Sequence, residues 1–142
     1  MLIDILQDAA LGAGYIALVL VLLVVNHYVI DVITPGHLIS RIVDDRSFNG
    51  AAMLSAAWIG QGYLAYTTII NTEAGVNGAV TGVLVFGVLT ILVHAVVIVG
   101  LNLLSRGRTN RIITEPGFNP GAMLVAAALL AVSIGASAAI TP

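Results

Sequence analysis

Charge is what this sequence has least of. Only 8% of its 142 residues are charged and 59% are hydrophobic, whereas a soluble domain carries roughly 25% charged residues. Water is therefore not the solvent for most of its surface. Cysteine is absent, which excludes disulfides, thiolate metal sites and cysteine nucleophiles. Lysine is absent too, so every basic side chain is an arginine: Arg41, Arg46, Arg106, Arg108 and Arg111. The sequence also lacks His-Glu-x-x-His, Gly-x-Ser-x-Gly, a phosphate loop and an Asp-rich lipid-phosphate motif. Of its three histidines, His37 falls in a loop, which makes a poor metal site. The expectation is a protein that is not an enzyme, with no catalytic residue, no metal, no cofactor and no nucleic-acid partner.

What fills the chain instead is long apolar runs. A bilayer core of roughly 30 Å asks for about 20 such residues per helix, and the whole length is used up by segments of that kind. The expected fold is all-α, a single membrane domain over residues 1–142 with four spans, at about 9–33, 49–70, 78–104 and 119–140. The N-terminus, with Asp4 and Asp8, is acidic, whereas a secretory signal has a positive start. The first apolar segment is accordingly expected to stay as a span. After it, Thr34-Pro35 reads as an N-cap followed by Pro at the first helical position. Leu38, Ile39, Ile42 and Val43 beside Arg41 and Asp44 then suggest a short amphipathic helix in the interface. The segment 105–117 reads as a polar loop, and 71–77 as a brief turn containing Glu73.

One phrase occurs twice. Phe48-Asn49-Gly50-Ala51-Ala52-Met53-Leu54 returns seventy positions later as Phe118-Asn119-Pro120-Gly121-Ala122-Met123-Leu124, and Arg41-Ile42-Val43 returns as Arg111-Ile112-Ile113. The unit is a bulky helix, a basic loop and a small-residue helix, covering about 9–70 and again 78–140. Repeats with an even number of spans keep the same orientation, related by an axis along the membrane normal. Asn49 and Asn119 read as helix caps. The helices they open are rich in Gly, Ala and Ser, which permit close approach in lipid, so they are the expected inner pair.

All five arginines lie in two segments, 34–48 and 105–118. By the positive-inside rule both segments face the cytoplasm and both termini lie outside. Such arginines also attract anionic lipid headgroups.

Thr34-Pro35 after the first span, a mixed acidic and basic loop, Asn49-Gly50-Ala51-Ala52 leading to Ile59-Gly60, and Asn119-Pro120-Gly121-Ala122 together resemble the bacterial membrane family called domain of unknown function 350. The resemblance implies four spans in two units in the cytoplasmic (inner) membrane, and no activity. It leads one to expect a glutamine in the third span where this chain has His94.

Four polar side chains stand out within the spans. His27 and Asp31 are four apart and share a helix face, where a carboxylate could orient an imidazole for a proton relay. His94 lies at a similar depth in the third span, within reach of His27 if the repeats pair. Gln61 sits mid-span and either lines a cavity or bridges helices. Intramembrane ionisable groups raise a functional hypothesis, yet histidine and glutamine also serve as packing devices. Two functions fit: a structural or accessory subunit packed into a homo-oligomer or larger membrane complex, or an oligomeric ion or proton channel lined by these residues.

Overall fold

The computed structural model describes residues 1–72 and 75–140; Glu73, expected in the central turn, lies outside them. The elements are α1 (Leu2–Ile33), α2 (Leu38–Val43), α3 (Phe48–Asn71), α4 (Gly75–Leu104), α5 (Arg108–Thr114) and α6 (Pro120–Ala138). The fold is all-helical, with no strand among the described residues. Helices α1, α4 and α6 are long and apolar enough to cross a membrane. At 1.5 Å per residue, α1 and α4 reach roughly 45–48 Å, well beyond a hydrocarbon core of about 30 Å.

Helix α3 is the axis of the molecule. It packs against α1, α4 and α6, and half of its 24 residues are buried. It is also the least apolar of the four long helices. Small residues let its neighbours close in. A Cβ at Gly60 would sit 2.7 Å from the Cβ of Ser133 on α6, and one at Gly82 on α4 would sit 2.7 Å from Thr68. Gly82 is thus spent on packing inside the fold.

Helix α6 is not α3's equal as an inner helix. Leu124, Ala127, Ala131, Ile134 and Gly135 remain exposed on it. Helix α1 is more open still, burying only Leu22, Asn26 and Ile30, one residue per turn in its second half. Two apolar clusters fill the interior. One, towards the arginine segments, gathers Ile30, Leu38, Met53, Leu54, Ala57, Ile98, Ile113, Val125 and Leu129. The other gathers Leu22, Ala65, Val83 and Ile91.

The ends of the helices depart from the sequence reading at three places. Thr34 does not cap a new helix: it is the C-cap of α1, its N–H bonded to the carbonyl of Ile30 at 3.0 Å, and α2 begins only at Leu38. Pro35 and Gly36 form the turn instead, and the Asp31 carboxylate reaches forward to the Leu38 N–H. Asn49 is not a cap: Ser47 caps α3 by accepting from the Gly50 N–H at 3.2 Å. Residues 108–114, expected within a polar loop, form a helix, closed by an Arg111–Glu115 ion pair at 3.0 Å. Asn119 does cap α6, accepting from the Gly121 N–H at 2.9 Å with Pro120 following it.

Candidate functional site

The polar residues of the interior converge where α1, α3, α4 and α6 meet. Asn26, Gln61, His94 and Ser133 are all fully buried there. Each occupies an inward stripe of its helix: Leu22-Asn26-Ile30 on α1, Gly87-Thr90-Ile91-His94-Ile98 on α4. A buried polar atom without a partner costs about 1–3 kcal/mol, so the bonds of these side chains decide what the node is.

His94 holds the centre. Its Nε2 lies 2.8 Å from the Ser133 Oγ and its Nδ1 lies 3.3 Å from the Asn26 Nδ2. The Ser133 Oγ also lies 3.0 Å from the carbonyl of Leu129, and the His94 Nδ1 lies 3.5 Å from the Asn26 Oδ1. One tautomer donates from Nε2 to Ser133 and accepts at Nδ1 from the Asn26 amide; the other donates from Nδ1 to the Asn26 Oδ1 and accepts at Nε2 from Ser133. In either, the three side chains link α1 through α4 to α6.

Gln61 donates to the carbonyl of Gly87 at 3.2 Å, tying α3 to α4. Glycine at 87 is what lets it come so near, since a Cβ there would lie 3.1 Å from the Gln61 Nε2 and 2.7 Å from Leu22. The Gln61 Oε1 and the Thr90 Oγ1 are buried without a hydrogen-bond partner among the described residues.

The structure separates the remaining sequence candidates. His27 does not pair with Asp31, although they are one turn apart. Its ring stands edge-on to Trp58 at 6.4 Å and 77°, and its Nδ1 is buried without a partner among the described residues. Asp31 serves the start of α2 and approaches the exposed His37 at 3.4 Å. Nor is it His27 that meets His94: one residue along a helix is a turn of about 100°, and Asn26 takes that place. Sequence reasoning missed Asn26, Thr90 and Ser133. The signal for Asn26 was its spacing of four from Leu22 and Ile30, both large and apolar.

A second polar cluster joins the arginine segments. The Asn49 Nδ2 lies within donating distance of three carbonyls, Ile112 at 3.0 Å, Glu115 at 3.2 Å and Gly117 at 2.6 Å, while its Oδ1 accepts from the Asn119 N–H at 2.9 Å. Ser47 adds a bond to the carbonyl of Ile113 at 3.1 Å. Phe48 and Phe118 stack edge to face beside them, 5.6 Å apart.

These features have a family context. The model of the family described as Domain of Unknown Function (DUF350) matches residues 4–140. The chain belongs to this family. It is also 29% identical over 137 residues to a UPF0719 transmembrane protein of Mycolicibacterium paratuberculosis (strain ATCC BAA-968 / K-10), a match covering 96% of this chain and 91% of that protein. No solved structure matches it. With three helices apolar enough to cross a bilayer and a transmembrane relative along nearly its whole length, this DUF350 chain is a membrane protein.

Proposed function

We propose that this DUF350 protein is a structural or accessory subunit of the bacterial inner membrane, working by helix packing in a homo-oligomer or larger membrane complex and not as an enzyme. The observation that carries the reading is the bonding of the node. Asn26, His94 and Ser133 link α1, α4 and α6 of the same chain, and the Gln61 amide nitrogen ties α3 to α4. Interhelical bonds of this kind hold bundles together at about 0.6 kcal/mol each on average. Meanwhile large apolar side chains remain exposed along α1, α4 and α6, a surface available to lipid and to other helices.

The same reading has α3 as a fourth span, both arginine segments in the cytoplasm, both termini outside, and the chain as two tandem units about a pseudo-twofold along the membrane normal. Three observations support the two-unit arrangement. Adding seventy to α2 (38–43) gives 108–113, nearly the extent of α5. Arg41–Asp45 and Arg111–Glu115 are ion pairs at the same offset. Phe48 and Phe118 meet across the join.

The test is assembly. Purified in several mild detergents, the protein is expected to run as a defined oligomer or to bring a membrane partner with it. A monomer that captures nothing overturns the proposal. The alternative, an oligomeric ion or proton channel, draws on the unpartnered buried Gln61 Oε1, Thr90 Oγ1 and His27 Nδ1. It requires ion or proton flux in liposomes that is lost in His94→Ala.

A further inference from the structure

The arginine end of the bundle holds a groove of about 350 Å³, lined by Leu101 and Leu104 of α4, Thr109 and Ile112 of α5, and Leu124 and Val125 of α6. Its walls are almost wholly apolar. Its rim is not. Ser105 also lines it, and Arg106 follows directly; Arg108 is the first residue of α5, one turn from Ile112 and adjacent to Thr109. Both arginines are exposed.

These two arginines differ from the others near them. Arg41 and Arg111 are paired with Asp45 and Glu115 at 2.7 and 3.0 Å. Among the described residues neither Arg106 nor Arg108 has a carboxylate partner. Arg106 also occupies an unfavourable position. Helix α4 closes with the Gly107 N–H bonded to the Asn102 carbonyl at 2.8 Å and the Arg106 N–H to the Leu103 carbonyl at 3.1 Å. That pattern puts a left-handed residue just past the helix end, where glycine is the usual choice. Here it is Arg106, at φ 56°. Among the described residues its side chain has no carboxylate partner, so its charge is available to a group outside the fold.

We propose that this groove binds one anionic phospholipid, its acyl chain between α4 and α6 and its phosphate between Arg106 and Arg108. The proposal rests on the reading that the arginine segments lie at a membrane surface, and it makes part of the headgroup attraction specific to one place. An apolar channel whose lining Ser105 and Thr109 are each next in the chain to an arginine without a carboxylate partner among the described residues fits an anion that carries a hydrocarbon tail, and fits neither a free anion nor a zwitterionic lipid as well.

Native mass spectrometry of the full chain, titrated separately with phosphatidylglycerol and phosphatidylcholine, tests it. One tightly held phosphatidylglycerol is expected, with no comparable retention of phosphatidylcholine. Near a membrane surface each arginine contributes roughly a fivefold gain in affinity. Arg108→Gln and Arg106→Gly should each weaken retention by about that factor, and the pair by about twenty-five-fold. Arg106→Gly supplies the residue the backbone prefers, so its thermal midpoint should hold or rise while lipid retention weakens, which separates binding from misfolding. Arg46→Gln, an unpaired arginine away from the groove, should change little. The proposal is overturned by equal retention of the two lipids, by an Arg46→Gln loss equal to that at Arg108, or by displacement of the lipid with inorganic phosphate. None of these results touches the oligomeric state, so the subunit reading would stand or fall separately.

Discussion

The hydroxyl of Ser133 sits 2.8 Å from the Nε2 of His94, and that contact depends on a third residue, Gly60, which has no side chain to push Ser133 away. Gly60→Ala should destabilise the protein by about 1–3 kcal/mol, the usual range for overpacking a tight interior. Adding Ser133→Gly should recover part of that loss while still forfeiting the bond to His94. Unfolding titrations in mixed micelles read both effects. A harmless Gly60→Ala would show that α3 and α6 do not pack as described.

His94→Ala removes two bonds and leaves a cavity, for an expected loss of about 2–4 kcal/mol. His94→Gln keeps an acceptor for Asn26 and a donor for Ser133, and should cost under about 1.5 kcal/mol if its amide reaches both. Glutamine cannot carry a proton on and off near neutral pH. Assembly that survives His94→Gln would fit a packing role for this position, whereas flux lost in the same variant would favour a channel.

Asn49 and Asn119 hold corresponding places in the repeated phrase but do different work. Asn119→Ala removes a cap, worth about 1 kcal/mol. Asn49→Ala removes the partner of three carbonyls and one N–H, and should cost more, about 2–4 kcal/mol. It should also speed tryptic cleavage at Arg106, Arg108 and Arg111, because the segment that holds them loses its tether. Equal costs for the two substitutions would contradict the bonding described here.

The absence of cysteine makes topology simple to measure, since any introduced thiol reports alone. Asp44→Cys and Asn110→Cys should be labelled from the same side, and Asp8→Cys from the opposite side. Labelling of positions 44 and 110 from opposite sides would mean that α3 and α4 do not form a hairpin across the bilayer.

How much of this was readable beforehand depended on whether the signal was local. The long apolar runs gave the long helices, because twenty apolar residues in sequence need no knowledge of their neighbours. Helix α5 was missed: Arg108-Thr109-Asn110-Arg111 shows no apolar period of its own, and only the repeat, which carries α2 onto 108–113, pointed to it; the helix buries Thr109 and Ile113. The capping rule pointed to Asn49 because it counts only the N–H groups of the next turn. Ser47 was already there to satisfy one of them, which freed Asn49 for carbonyls more than sixty residues away. In the node, His27 drew notice by its chemistry and Asn26 went unnoticed, although helical phase alone separates them. Ser133 was hidden among residues whose smallness gave no reason to single it out.

The bonds of Asn49 also impose an order on biosynthesis. Its partners belong to Ile112, Glu115, Gly117 and Asn119, which leave the ribosome only after the whole of α4 has been made. Until then the start of α3 carries an amide with nothing to hold. The first half of the chain is thus a provisional structure, completed by the second half, and two halves made as separate polypeptides would each carry unmet partners until they joined at Asn49, at His94 and along α3 and α6.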